Sequence, residues 1–174
     1  MNPTIDNCFV CSPRNTSGLH LQFAVSDDEC VAEFTVDACF DGYRGVTHGG
    51  IQAAILDDAM ANIFYKSGLP AFTVEMQLRY RRPMYSGKQY RVEAVVTENR
   101  GSRIRRTRAC IRDLASDEVI TEATATFLIG QGLLKTVRSV AARDEREEER
   151  EAGQTDTGAG IAGEVPGAQT HSSE

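Results

Sequence analysis

The stretch "VTHGGIQAAILDDAMANIF", Val46 to Phe64, holds a His-Gly-Gly opening and two adjacent aspartates within an otherwise apolar run. Burying a carboxylate costs free energy unless it is paired or used. Asp57 and Asp58 are therefore candidates for a general base or a nucleophile. On a helix stepping about 100° per residue, Asp57 lies beside the apolar cluster of Leu56, Met60, Ile63, Ala53 and Phe64. The small side chains of Ala53 and Ala61 leave room next to it, and desolvation at such a margin raises a carboxyl pKa. Asp58 projects about 100° further round, near Asn62 and Tyr65, as a polar-face residue bonded locally. The two acids thus have different tasks, and Asp57 is the candidate for chemistry. A helix-surface acid, or one paired with basic strands, is the competing structural role for Asp57.

The opening supplies a second element. The first turn of a helix leaves backbone N–H groups unpaired at the positive end of the dipole. Glycine lets a ligand approach that backbone. The Gly49 N–H can receive a developing oxyanion, with His48 as cap or orienter and Gly50 beside it. Gly49 and Asp57 are eight residues apart, or about 12 Å along a helix. A single reacting carbonyl cannot touch both. If both act, they come from two copies of the helix running antiparallel across a dimer.

The elements that must position these groups follow from periodicity. Gly49 to Lys66 predicts the helix, closed by "KSGLP". Before it, Leu19–Val25 and Cys30–Val36 alternate as strands around the turn "SDDE". Phe40 to Thr47, with Gly42 and Gly45, reads as a loop. After the helix come Thr73–Arg81, with Val74, Met76, Leu78 and Tyr80 expected on one face, then Tyr90–Glu98, Ile104–Asp113 and Val119–Ile129. Short connections favour antiparallel pairing. One long helix over an antiparallel sheet of five to six strands is an α+β architecture.

Charge is divided unevenly. From Arg143 to Glu174 there are nine acids and three arginines, a net of −6, while the other 142 residues hold sixteen of each sign. Arg79 to Arg112 contains eleven Arg or Lys and only Glu93 and Glu98 as acids, which suggests an anionic ligand. Nucleic acid is a poor fit, because aromatic residues are not interleaved with the arginines and no recognition helix is present. The tail from 142 on has no core residues and is expected to be disordered. The first seven residues do not read as a secretory signal, so a cytoplasmic protein is expected, and no apolar run approaches a membrane span. Five cysteines are expected reduced. Cys8 and Cys11 form one CxxC without a second pair; a zinc site would have to recruit His20 or Cys30 at irregular spacing. The simpler expectation is that both cysteines pack the N-terminal loop segment, residues 1–18, with no metal or cofactor.

These residues carry a family resemblance. "HGGIQAAILDDAM" resembles the helix of hotdog-fold acyl-CoA thioesterases, in the phenylacetyl-CoA thioesterase-like (PaaI-type) branch of the 4-hydroxybenzoyl-CoA thioesterase superfamily. "CFVCSPRNTSGLHLQF" and "FTVEMQLRYRRPMYSGKQYRVEAVV" are similar to that branch's opening and its post-helix strands, so the likeness runs from Cys8 to Ile129. It implies a hotdog domain over residues 19–135, assembled as a homodimer or homotetramer. It implies Asp57, nine residues after His48, as general base or nucleophile, Gly49 as oxyanion donor, and Thr73 as the hydroxyl that positions water. No metal is required. Coenzyme A carries phosphates that Arg binds well, so Arg79, Arg81, Arg82, Arg103, Arg105, Arg106 and Arg108 are candidates to hold acyl-CoA; each of them equally suits a solvated sheet face. One departure is Gly42, where some relatives have Asn. A non-catalytic hotdog protein that binds acyl-CoA is the alternative; a hotdog dehydratase lacks its paired His and acid here.

Overall fold

The computed structural model describes residues 7–130. Its helix, α1 (Gly49–Lys66), has the bounds read from the sequence. His48 caps its start. At its end Gly68 adopts a φ of 74°, the left-handed turn that glycine accepts without strain. There Gly68 N–H donates to Tyr65 O at 2.9 Å and Leu69 N–H to Phe64 O at 3.0 Å. Ile55, Leu56, Ala59 and Met60 are fully buried, as are Tyr90, Val92, Ile111 and Phe127 of the sheet beneath. Removing that apolar area from water is the main stabilising term of the fold.

The strands are β1 (Ala24–Ser26), β2 (Glu29–Thr35), β3 (Asp41–Tyr43), β4 (Val46–Thr47), β5 (Ala71–Tyr80), β6 (Gln89–Arg100), β7 (Ile104–Asp113) and β8 (Val119–Ile129). Six form one antiparallel sheet in the order β1-β2-β6-β7-β8-β5. Alternation is clearest in β2, where Cys30, Ala32 and Phe34 are buried and their neighbours exposed. The sheet wraps α1 as the α+β expectation requires, and this is the hotdog architecture.

Three local expectations are corrected. Leu19 to Phe23 does not join the ladder, and only Ala24–Ser26 pairs with β2. Leu19 and Leu21 instead donate their N–H groups to Phe9 O and Val10 O at 2.8 and 2.9 Å, because the N-terminal segment competes for them. Phe40 to Thr47 is not simply a loop: β3 and β4 pair about a turn with Gly45 at φ 79°. Nor do Val74, Met76, Leu78 and Tyr80 share one face, because β5 carries a bulge between Thr73 and Glu75. Thr73 sits opposite buried Phe127 and Met76 opposite buried Ala125, so both face the helix. Val74 is left outside at 65% exposure.

Candidate functional site

The helix start is built from three pinned groups. His48 Nδ1 accepts from the Gly50 N–H at 2.9 Å, so that ring nitrogen carries no proton. The Tyr80 hydroxyl donates to Gly49 O at 3.0 Å. The peptide plane between Gly49 and Gly50 is thus held at both ends. The preceding N–H, that of Gly49, has no acceptor among the described residues. Gly49 lines a cavity of about 490 Å³ that also includes Thr47, His48, Tyr80, Arg81 and Arg82 in its wall. A Cβ at Gly42 would come within 3.2 Å of the His48 ring, so a larger residue there would require that ring to shift. Two polar atoms buried nearby, Asp41 Oδ1 and Thr47 Oγ1, lack a protein partner; Asp41 Oδ2 accepts from Gly45 N–H at 2.7 Å.

The second cluster lies two turns along the helix. The Thr73 hydroxyl donates to Asp57 Oδ1 at 2.6 Å. The bulge in β5 makes this contact, since it turns Thr73 inward ahead of Met76. Asp57 is not in the wall of the cavity at Gly49. One protomer therefore presents the two halves of the expected constellation separately.

The neighbour Asp58, expected as a polar-face residue bonded locally, is bonded locally but also half-buried against the N-terminal segment. It accepts from Asn62 Nδ2 at 3.1 Å, as a locally bonded acid would, but also from Cys8 Sγ at 3.4 Å. Burial pushes its carboxyl pKa upward. Beyond the CxxC itself, no local pattern points to this contact, which joins residues fifty positions apart. Gln52 was also missed: buried, it donates to Thr47 O at 3.4 Å and accepts from the Thr121 hydroxyl at 2.5 Å, tying β4 and β8 to the helix start.

The arginines divide into groups. Arg81 pairs with Glu122 at 2.5 Å and Arg82 with Glu118 at 2.7 Å, both beside the Gly49 cavity. Arg105 bonds Gly101 O and Ile104 O, and Arg106 pairs with Glu98 at 3.5 Å. With exposed Arg103 they lie at the other end of the sheet, where Arg105, Phe127 and Thr73 are register neighbours. Arg79 and Arg108 line a separate cavity of about 920 Å³ that also includes Glu93 and Glu122. They are not brought to either half of the site.

Comparison with known proteins bears on the fold. Residues 44–113 match the family described as the thioesterase superfamily. No curated protein matches the chain. Among solved structures, a thioesterase superfamily protein is 22% identical with a TM-score of 0.63, over 70% of this chain and 63% of the other. A variant of the phenylacetic acid degradation protein PaaI from Thermus thermophilus is 25% identical with a TM-score of 0.57, over 63% and 93%. A Streptococcus mutans protein bound to acetyl CoA is 14% identical with a TM-score of 0.59, over 63% and 88%.

Proposed function

From a hotdog fold whose residues 44–113 match the thioesterase superfamily, we propose that the protein is an acyl-CoA thioesterase that completes its site across a homodimer. The observation that carries this is the separation of a hydroxyl-bonded carboxylate, Asp57 with Thr73, from the unpaired N–H of Gly49. Strand β5 is at the sheet edge and exposes Phe72 and Val74. Antiparallel pairing of two such edges continues the sheet and sets Asp57 of one protomer against the helix start of the other. It also gathers the two arginine groups, one from each protomer, around one coenzyme A.

In that site the thioester carbonyl accepts from the partner's Gly49 N–H, which stabilises the charge developing on oxygen. Asp57 either takes a proton from a water aligned by Thr73 or attacks the carbonyl itself. Collapse of the tetrahedral intermediate expels the coenzyme A thiolate. His48 and Gly50 fix the peptide that follows the donor. Residues 19–135 form the catalytic domain in this reading, and the acidic segment from 142, outside the described residues, is a passive tail.

Thiol release from short, medium, long and aryl acyl-CoAs tests the proposal. Asp57→Asn is expected to lower kcat by about 10²- to 10⁴-fold, while Asp27→Asn, in the exposed β1–β2 turn, leaves it unchanged. Undiminished hydrolysis by Asp57→Asn overturns the assignment. Acyl-CoA binding without any hydrolysis leaves the non-catalytic binder.

A further inference from the structure

Outside that site, one group of side chains converges without a role. The Sγ atoms of Cys8 and Cys11 and a carboxylate oxygen of Asp58 all lie within 4.8 Å of one another, and all three residues are half-buried. The chain turns tightly between the cysteines: Ser12 N–H donates to Cys8 O at 3.2 Å and Val10 N–H donates to Cys8 Sγ at 3.3 Å. We propose that Cys8, Cys11 and Asp58 bind a zinc ion that clasps the N-terminal segment onto α1, one residue from Asp57.

The donor set fits. Two sulfurs and a carboxylate oxygen suit zinc, with water in the fourth position. Without a cation, the Cys8 thiol is only a weak donor to Asp58 Oδ1, at 3.4 Å. The weak S–H donors then serve a carboxylate that prefers stronger partners. Zinc displaces both thiol protons to solvent and leaves a net charge of −1 on the three ligands and the dication. The donors anticipated from sequence spacing are placed elsewhere: His20 Nε2 is bonded to Asn15 O at 2.6 Å, and Cys30 is not in the group. The supporting acid comes from fifty residues away, which CxxC spacing cannot reveal.

The clasp also reaches the helix start. Phe9, between the two cysteines, packs edge-on against Phe40 at 6.0 Å between ring centroids. Phe40 O in turn accepts from His48 N–H at 2.9 Å.

The test uses the full chain, reduced, stripped with a chelator and dialysed against Zn²⁺. Wild type is expected to take up about one zinc per protomer, and Cys8→Ser/Cys11→Ser almost none. Asp58→Asn should bind more weakly. Co²⁺ in the wild type should show a thiolate-to-metal charge-transfer band, which decides the matter if the double variant does not fold. Negligible uptake by the wild type, an unchanged zinc content in the double variant, unchanged affinity in Asp58→Asn, or no such band overturns the proposal. So does a thiol count showing a Cys8–Cys11 disulfide in place of zinc. None of these readouts depends on thioester hydrolysis.

Discussion

At the scale of single residues, the site depends on hydrogen bonds that leave one donor free. His48 and Tyr80 occupy the two ends of the Gly49–Gly50 peptide, so the plane cannot rotate to offer a different group to a substrate. In the proposed thioesterase site, Tyr80 is thereby a positioning residue. The sequence placed it only in a strand, and aromatic side chains there are usually read as packing. A hydrogen bond of this kind contributes about 1 kcal/mol. Tyr80→Phe is therefore expected to lower kcat about 5-fold with KM little changed, as steady-state kinetics on the best acyl-CoA would show. An unaltered kcat would mean that the hydroxyl does not orient the donor.

At the scale of elements, the bulge in β5 brings Thr73 to Asp57. Strict period-two alternation puts Thr73 and Met76 on opposite faces; the extra residue puts both toward α1. The turn between β7 and β8 shows a different kind of control. Asp113 Oδ1 accepts from the N–H groups of Ala115 and Ser116 at 2.9 and 3.2 Å, and Lys88 Nζ is 3.7 Å away. The Ala115 bond foremost, with help from Ser116 and Lys88, holds the Asp113 carboxyl below its usual value. A carboxyl with a lowered folded pKa adds stability above its unfolded pKa, and that stability is lost as pH falls through the folded value. The urea midpoint is thus expected to drop as pH falls below about 4, near the unfolded Asp value. Asp113→Asn should flatten that part of the profile. Asp37 and Glu98, also lowered, act in the same sense. An identical acid profile in the variant would remove Asp113 from this account.

At the scale of the whole molecule, the open question is what pairs with β5. Its outer edge has unpaired backbone groups and exposes Val74 and Phe72 at 65% and 38%. An edge of this length that stays unpaired invites association. Val74→Arg is expected to yield a folded monomer by light scattering and to abolish hydrolysis, since neither half of the site suffices alone. A monomeric variant with full activity would sink the shared site.

Much was legible in the sequence because its signals are local. The bounds of α1 follow from a capping His48 and a closing Gly68, and the four long strands follow from alternation. The spacing of eight residues between Gly49 and Asp57 already meant that, if both act on one carbonyl, they come from two copies of the helix, since helix rise is fixed. Long-range pairing decided the rest. The N-terminal segment takes the N–H groups of Leu19 and Leu21 from the sheet. The bulge turns Thr73 to Asp57, and the fold sets Asp58 beside Cys8 and Cys11, fifty and forty-seven residues away. A residue's type and spacing limit what it can do. Which distant group it meets depends on register and packing, and those exist only once the chain has folded.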